Sequence, residues 1–261
     1  MVKMILSGCN GYMGRVITTL VANDATVCII AGIDIVSEKH ADYPVFASPD
    51  ELIDNADTTT IIKDADCIVD FSSPSALSGL LKLSESKKLP LILCATGYTP
   101  AQLTDIEDAS EHIPIFRSDN MSLGINLLVD LIKRACLVLG EDFDVEIVER
   151  HHSRKVDAPS GTALMLADAA TSALPYDPEY IFERKSRREP RSKKEIGISA
   201  VRGGTIVGVH DVIFAGKDEV IELRHSAASR DVFASGAIKA AKFMVNKPVG
   251  KYSMKDVLAI Y

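Results

Sequence analysis

The segment VKMILSGCNGYMGR, residues 2–15, decides the fold class of this chain. Its apolar run at residues 2–6 is typical of a buried strand, and three glycines spaced GxxGxxG follow at once. Glycines let a turn tighten and let the backbone approach a pyrophosphate, and the next helix offers unpaired N–H groups to the anion. Directly after a first strand, the pattern therefore predicts a dinucleotide-binding turn, although GxGxxG is the commoner spacing.

A dinucleotide held at this turn would also meet the end of the second predicted strand, Val27–Ile33. Asp34 follows that strand, 20 residues beyond Gly14, where a carboxylate accepts hydrogen bonds from the adenosine ribose. An ordinary aspartate at a strand end is the alternative. The residues predicted here to bind the cofactor are Gly8, Asn10, Gly11, Tyr12, Met13, Gly14, Arg15 and Asp34.

Asp34 also bears on the choice between NADH and NADPH. Its carboxylate would repel a 2′-phosphate by about 4 kcal/mol per charge pair at close range in a partly screened site. Ile35 stands where a neighbouring arginine would offset that repulsion, whereas Lys39 is near enough in sequence to leave NADPH open. We expect both cofactors to be used, NADH at least as well as NADPH.

Two further loops follow predicted strands at the edge where open α/β sheets bind ligands. They span residues 70–74 and 94–98, and their small residues would let the backbone approach a nicotinamide ring. Either loop alone is more often a plain connection, but both of them after a glycine turn predict a cofactor cleft. The residues predicted to line it are Phe71, Ser72, Ala95, Thr96 and Gly97.

The order of predicted elements indicates two architectures. Short apolar runs alternate with helical patterns over the first 120 residues, which indicates a parallel sheet covered on both faces. Beyond them, strands at 197–202, 205–214 and 219–226 follow one another through short turns, after a helix expected at 159–174. The predicted fold class is therefore α/β, with an N-terminal Rossmann-like parallel-sheet domain and a second α+β domain carrying a mixed sheet.

Composition argues against several classes of function. The formal net charge of −7 provides no basic field, so no nucleic-acid partner is expected. Five scattered cysteines without a CxxC pair predict neither disulfides nor a metal site, and reduced thiols suit the cytoplasm. We expect neither a signal peptide nor a membrane span. The basic segment 183–194 is expected to be a solvated loop, with an anion-binding loop as the alternative.

The segment EIVERHHSRKVDAPSGTA, residues 146–163, carries the candidate chemistry. An alternating strand enters a polar loop with two histidines and two cations, and small polar residues then mark a helix start. An anion there would meet backbone N–H groups, hydroxyls and the positive end of the helix dipole, while Lys155 or Arg154 could pair with a second anionic group. A small dicarboxylate suits this arrangement.

His151 and His152 lie in the same loop and titrate near neutral pH, so either could supply a proton. A purely structural histidine is one alternative. A zinc site is another, although no cysteine is close and the neighbouring cations oppose metal binding.

Residues 146–163 resemble the signature of the 4-hydroxy-tetrahydrodipicolinate reductase family, also called dihydrodipicolinate reductase. The pattern E-[IV]-x-E-x-H-x-x-x-K-x-D-x-P-S-G-T-A is met without a gap, and the resemblance spans nearly the whole chain. It implies NAD(P)H-dependent reduction of 4-hydroxy-tetrahydrodipicolinate to tetrahydrodipicolinate, in the diaminopimelate pathway of lysine biosynthesis. The chain departs from the family at Cys94, where glycine is usual, and at Asp34-Ile35, where an acidic–arginine pair is frequent.

The resemblance also implies roles for individual residues. His151 resembles the proton donor, and Lys155 resembles the cation that orients the substrate. The positions that resemble carboxylate-holding residues are His152, Ser160, Gly161 and Thr162, and those that resemble further cofactor contacts are Asp119, Asn120 and Met121. Residues 1–121 and 232–261 would form the dinucleotide-binding domain, and 122–231 would bind substrate and assemble a homotetramer.

Two other functions remain open at this point. A different nicotinamide enzyme, such as an amino-acid dehydrogenase, could share the first domain but should lack the run from His151 to Thr162. A dinucleotide-sensing protein without turnover would have little need for a proton donor and a cation directed at one site.

Overall fold

The structure, a computed structural model, describes residues 1–36, 40–54 and 59–260. The chain forms two compact units, Met1–Leu123 together with the chain from Asp231 onward, and Gly124–Arg230. Lys39, weighed above for NADPH, lies outside the described residues. Within the described ranges, no helix combines the length and the apolar character needed to cross a lipid bilayer.

Strands and helices alternate through the first unit, and strands dominate the second. In chain order, the strands are β1 (Val2–Ser7), β2 (Val27–Ile33), β3 (Val45–Phe46), β4 (Cys67–Asp70), β5 (Leu91–Leu93), β6 (Pro114–Arg117), β7 (Asp144–His151), β8 (Glu179–Ile181), β9 (Glu195–Arg202), β10 (Gly208–Ala215), β11 (Val220–Ala227) and β12 (Gly250–Tyr252). The helices are α1 (Tyr12–Ala22), α2 (Pro49–Asp54), α3 (Thr59–Asp64), α4 (Leu77–Lys87), α5 (Pro100–Ala109), α6 (Leu123–Leu139), α7 (Gly161–Thr171), α8 (Asp231–Met244) and α9 (Met254–Leu258).

The first unit is built on a parallel sheet in the order β12-β6-β5-β4-β1-β2-β3. Its central strands are apolar along their length because helices cover both faces. α1 and α8 pack on the face that contains Met4 and Leu6, and α4 and α5 pack on the face that contains Ile5 and Ile68. The predicted Rossmann-like domain is confirmed. Its strand order reverses between β1 and β4, the position at which such sheets bind ligands.

The second unit is built on a mixed sheet in the order β11-β10-β7-β9-β8. β9 runs parallel to both β7 and β8, whereas β10 runs antiparallel to β7 and β11. α6 and α7 supply Ile132 and Leu166 to a core that the sheet completes with Val145, Ile147 and Val212. The predicted mixed sheet is confirmed.

Two local predictions for this unit were wrong. The turn at Gly203-Gly204 was expected to join neighbouring strands, but β9 and β10 lie on opposite sides of β7. Sequence proximity misled here because β7 pairs with both of them. The helix expected from residue 159 begins at Gly161, because the Ser160 hydroxyl caps it by accepting a hydrogen bond from the amide of Ala163 at 3.2 Å.

The basic segment 183–194 is fastened to β7 and β9, two inner strands of this sheet, near the residues at which they begin. Arg184 donates hydrogen bonds to Glu195 at 2.8 Å and to Glu146 at 2.6 Å. Arg191 donates to Glu146 at 2.9 Å and pairs with Asp144 at 3.0 Å. These carboxylates occupy both guanidinium groups, so the two arginines hold the segment in place, a structural role that neither of the predicted alternatives included.

Candidate active site

The turn between β1 and α1 requires glycine at two positions. Gly8 has a φ of 74°, and a Cβ there would stand 2.7 Å from the carbonyl oxygen of Phe71. At Gly14, a Cβ would stand 2.2 Å from the carbonyl oxygen of Gly8. α1 begins directly after Gly11, which has no side chain to cap it. No capping group of that residue therefore competes with a phosphate for the first amides of the helix.

Asp34 fastens the end of β2 to this turn. Its Oδ2 accepts a hydrogen bond from the amide of Asn10 at 2.9 Å, and its Oδ1 accepts one from the amide of Val36 at 3.0 Å. Each carboxylate oxygen has a second lone pair, so the group can also accept hydrogen bonds from ribose hydroxyls. The next residue, Ile35, is 93% exposed and brings no charge to this position.

A cleft of about 540 Å³ opens beside the turn, a volume that suits a small-molecule ligand. The predicted cofactor residues that line it are Gly8, Gly11, Asp34, Phe71 and Ser72. Its other walls include Ile35, already considered for cofactor choice, and Ala47, Pro49 and Ala76, which sequence reasoning missed. No local motif marks these last three residues, since separate loops that follow β3 and β4 bring them together.

A smaller pocket of about 280 Å³ lies on the other side of Phe71. The predicted residues that line it are Met13, Phe71, Thr96, Asp119, Asn120 and Met121. Cys94, Ser118 and Phe233 also line it, and Phe233 reaches it from α8, more than 100 residues further along the chain. Apolar atoms dominate its surface, as a flat ring with few hydrogen-bonding groups requires.

The other predicted cofactor residues lie outside these two pockets. Asn10, Tyr12 and Arg15 line a separate shallow depression on the surface. The Nε of Arg15 donates to the carbonyl oxygen of Asn10 at 2.9 Å, so this arginine braces the turn. Gly14 packs beneath the turn. Ala95 and Gly97 flank Thr96 in its loop.

In the second unit, one face of β7 changes character along its length. Alternate residues of β7 are buried, and Val145 and Ile147 belong to the apolar core. The same face then continues with Glu149, 0% exposed, and His151, 8% exposed. Buried charges are costly unless they are paired, so a core face that ends in two ionisable side chains marks a functional site.

Glu149 is fully paired within the protein. Its Oε1 accepts hydrogen bonds from the amide of Ser160 at 3.0 Å and from Arg202 at 2.7 Å. Its Oε2 lies 2.6 Å from Nδ1 of His151 and accepts a second bond from Arg202 at 2.7 Å. Burial alone would raise the pKa of Glu149, but the bonds from Arg202, His151 and Ser160 outweigh it and lower that pKa below its usual value.

The start of α7 is partly engaged and partly open. The Ser160 hydroxyl, besides capping the helix, lies 3.1 Å from Nε2 of His210. Gly161 is exposed, and open space adjoins the point where its Cβ would stand. Thr162 follows, half-buried. The structure therefore brings the predicted Ser160, Gly161 and Thr162 to one helix start, where the hydroxyl of Ser160 already has partners.

Two predicted residues of the preceding loop lie near this start. The Nζ of Lys155 pairs with Asp157 at 2.8 Å. His152 is half-buried, and its pKa is lowered by desolvation and by the neighbouring cations Arg154 and Arg230. At neutral pH, His152 is therefore an uncharged hydrogen-bonding group.

Sequence reasoning missed a third histidine at this site. His210 stands directly opposite Glu149 in the β7–β10 ladder, and its ring lies edge-on to that of His151, with centroids 5.2 Å apart. Burial, together with the charge of His151, lowers the pKa of His210 to about 4. Arg202 was missed in the same way, because cross-strand pairing brings both residues to β7. Among the described residues, no group of three or more His, Cys, Asp or Glu side chains is placed to hold a metal ion.

The chain matches two family models along its length. Residues 2–121 match the model for the N-terminus of dihydrodipicolinate reductase, and residues 124–258 match the model for its C-terminus. The chain belongs to the dihydrodipicolinate reductase family.

Curated relatives and a solved structure agree with this assignment. The 4-hydroxy-tetrahydrodipicolinate reductase of Clostridium tetani is 49% identical over 99% of this chain and 97% of its own length. That of Caldanaerobacter subterraneus subsp. tengcongensis is 47% identical, over 99% and 98%. The dipicolinate-bound dihydrodipicolinate reductase from Paenisporosarcina sp. TG-14 is 22% identical, with a TM-score of 0.79 over 97% of each chain. At that identity the likeness concerns the fold.

Membership of the dihydrodipicolinate reductase family confirms that the chain is an NAD(P)H-dependent oxidoreductase of lysine biosynthesis. It decides against both an amino-acid dehydrogenase and a dinucleotide sensor without turnover. The roles of individual side chains in the two units stay predictions.

Proposed function

We propose that this chain reduces 4-hydroxy-tetrahydrodipicolinate to tetrahydrodipicolinate, with the first unit holding the dinucleotide and the second holding the substrate. The observation that carries the proposal is the end of β7, where Glu149 and His151 interrupt a core face beside the open start of α7. Two ionisable residues buried there, next to an open helix N-terminus, fit the protonation of a small anionic substrate.

In the first unit, the pyrophosphate would lie against the turn at Gly8–Gly14, and the ribose hydroxyls would bond to Asp34. The larger cleft would take the adenosine, and the smaller, more apolar pocket beside Phe71 would take the nicotinamide. When bound, NAD(P)H supplies the hydride that reduces the substrate. The requirement for glycine at Gly8 and Gly14 supports this fit, because it lets the turn pack tightly against itself and against the backbone of Phe71, as a pyrophosphate-binding turn does.

We propose further that NADH serves at least as well as NADPH. The carboxylate of Asp34 faces the cleft, and the exposed neighbour Ile35 offers no cation to a 2′-phosphate. Asp50 also lines this cleft, but its Oδ1 pairs with Lys82 at 2.5 Å, so the repulsion is ascribed to Asp34. The Asp34 carboxylate would oppose the phosphate by about 4 kcal/mol at close range and partial screening.

In the second unit, the substrate is proposed to be a small dicarboxylate, as dipicolinate is in the solved relative. One carboxylate would lie beside the backbone of Gly161 and Thr162, with neutral His152 as a hydrogen-bond partner. Lys155 would exchange Asp157 for the second carboxylate. His151 would supply the proton. The Ser160 hydroxyl, engaged by Ala163 and His210, would act by fixing the helix start.

We also propose a homotetramer that assembles through the sheet of the second unit and resides in the cytoplasm. Support for assembly comes from the sheet face opposite α6 and α7, where Val148 and Ile213 are only half-buried and Val201 is 45% exposed. Support for a reducing compartment comes from the five free cysteines. Sedimentation velocity checks the assembly, and a species at monomer mass would exclude it.

A coupled assay tests the reaction. Aspartate semialdehyde and pyruvate are condensed by a synthase, and the loss of NADH and of NADPH is followed with and without this protein. Oxidation of both cofactors is expected, with kcat/KM for NADH equal to or above that for NADPH. If neither cofactor is oxidised, the proposed reaction is wrong. If NADPH is strongly preferred, the proposed use of NADH at least as well as NADPH is wrong.

Two variants test the proposed roles of side chains. His151→Gln should lower kcat by on the order of 10²- to 10⁴-fold and leave KM nearly unchanged, because a general acid acts in the transition state. Lys155→Ala should lower kcat and raise KM, because that cation binds substrate in both states. Unchanged kcat in a folded His151→Gln protein would contradict the proton-donor role.

A further inference from the structure

Glu149 has no place in the reaction as outlined above, yet it is the most deeply buried charged side chain beside His151. All of its acceptor positions are used. Each carboxylate oxygen takes one bond from Arg202, and the remaining positions face the amide of Ser160 and the Nδ1 of His151. Such complete pairing is what keeps a buried carboxylate ionised.

The protonation of the His151 ring follows from this pairing. An ionised carboxylate can only accept hydrogen bonds, so the 2.6 Å contact with Oε2 requires the hydrogen on Nδ1. The bonds that Arg202 donates to both oxygens fix the orientation of the carboxylate, and with it the plane of the ring. Nε2 is then the ring atom that can exchange a proton with a substrate.

We propose that Glu149, held by Arg202, is a positioning residue that keeps the Nδ1 proton of His151 in place and so makes Nε2 the proton-donating atom. The proposal rests on the proposed role of His151. In the transfer, Nε2 gives its proton to the substrate carbon adjacent to the one that receives the hydride. The ring is left neutral with Nδ1–H still bonded to Glu149, and solvent returns the proton to Nε2.

Other charged or titratable groups surround the His151 ring without taking over this role. Arg202 is its partner across the β7–β9 ladder and is occupied by Glu149. His210, on β10, stays neutral down to about pH 4. His152 adjoins it in the chain, and Lys155, in the same loop, is paired with Asp157. Glu149 is thus the anion that bonds the His151 ring directly.

A small residue keeps the space beside Nε2 open. A Cβ added at Gly208 would stand 3.2 Å from Nε2 of His151, closer than an ordinary van der Waals contact. A Cβ added at Gly203 would meet nothing within 4 Å. These two glycines offer a matched pair of substitutions that change no charge.

The first test compares Glu149→Gln with Glu146→Gln. Both variants remove a β7 carboxylate that arginines hold, but only Glu149 bonds His151. Glu149→Gln should lower kcat by at least about 10²-fold, since an orienting carboxylate behind a catalytic histidine has effects of that size or larger. KM should change less than about threefold. Glu146→Gln should leave both kcat and KM as they are.

Nitrogen-15 NMR of the intact protein provides a readout that does not depend on any variant folding. The neutral His151 ring should carry its single hydrogen on Nδ1. A neutral ring with that hydrogen on Nε2 would overturn the proposal.

Gly208→Ala should lower kcat by about tenfold or more, because the added methyl group crowds Nε2, while Gly203→Ala leaves kcat unchanged. Equal kcat in both would show that Nε2 is not the working atom.

The outcomes separate this proposal from the one on which it rests. If His151→Gln loses activity while Glu149→Gln matches the unmodified protein, the positioning role is wrong and the proton-donor role stands. If His151→Gln retains kcat, the proton-donor role itself is wrong, and the positioning role is overturned with it.

Discussion

The two helix starts proposed to receive anions are built in opposite ways. At α1, backbone geometry makes the site, because Gly8 and Gly14 tolerate no side chain and Gly11 supplies no cap. At α7, side chains make the site, because Ser160 caps the helix and Glu149 bonds the Ser160 amide. An anion site made by backbone geometry therefore cannot be substituted without destabilising the unit that contains it. An anion site made by side chains can be substituted while the unit stays folded.

Replacing one glycine at each helix start should give the largest difference between the two sites. Gly14→Ala places a methyl group 2.2 Å from a carbonyl oxygen, so the first unit should lose about 3 kcal/mol or more of stability, together with NADH binding. Gly161→Ala, with open space beside it, should leave the melting temperature within about 2 °C and raise only KM for the substrate. Differential scanning fluorimetry and NADH titration measure both.

Equal stability losses in these two alanine variants would contradict the distinction between a helix start made by backbone geometry and one made by side chains. Gly203→Ala, a third glycine with open space around its Cβ position, serves as the control for replacement itself.

Lowering the pH should reduce the stability of the second unit around the start of α7, where His210 is buried. Burial lowers the pKa of His210 to about 4 in the folded state, from an ordinary value of 6.5, so the unfolded chain binds the proton more readily. Stability contributed by neutral His210 is therefore fully present above pH 6.5 and is lost as pH falls towards 4, by roughly 3 kcal/mol in total. Hydrogen exchange of β7 and β10 between pH 7 and 4 measures this loss.

In His210→Asn, which titrates nowhere in that range, the acid-dependent loss should shrink. A pH dependence identical to that of the unmodified protein would assign the effect to another group, such as His225, whose pKa burial also lowers.

The preference between NADH and NADPH should depend on the exposed side chain of residue 35, which follows Asp34. Ile35→Arg adds a cation next to Asp34 at a position that is 93% exposed, so folding should be unaffected. Relative kcat/KM for NADPH over NADH should rise about tenfold, which corresponds to about 1.4 kcal/mol. Ile35→Gln, of similar length and no charge, is the control, and an equal rise there would rule out an electrostatic cause.

Removing the cap of α7 should have the smallest effect. Ser160→Ala deletes the acceptor for the Ala163 amide and the partner of His210. Stability of the second unit should fall by about 1 kcal/mol, the usual value of a helix cap. Chemical denaturation followed by circular dichroism measures it, and Ser160→Thr should restore most of the loss. A loss of several kcal/mol would mean that the hydroxyl does more than cap.

The sequence predicted the two units, the glycine turn and, to within two residues, the start of α7, because each depends on neighbours along the chain. Glycine spacing encodes backbone shape, and residues 146–163 carry a gap-free signature. The clamp around Glu149 could not be predicted in this way. Arg202 and His210 reach β7 only through strand pairing. The short turn predicted at Gly203-Gly204 joins β9 and β10, which lie on either side of β7, so sequence proximity obscured that pairing.

Phe233 illustrates the same limit in the first unit. It lines the smaller pocket from a helix that the chain forms only after completing the second unit. The wall residues Ala47 and Pro49 also come from a loop without a motif. A pocket assembled from the ends of several strands can be identified once the strand order is known, but no local sequence pattern predicts it.

The interrupted first unit has a consequence for synthesis on the ribosome. Its core includes Ala237, Ala241 and Met244 of α8, and a Cβ at Gly236 would stand 1.7 Å from the carbonyl oxygen of Met121, so α8 packs directly on the preceding chain. A nascent chain that ends at Arg230 has every residue of the second unit and an unfilled core in the first. During translation, all residues of the second unit therefore leave the exit tunnel before the first unit can complete its core. The first unit can do so only after α8 has also left the tunnel.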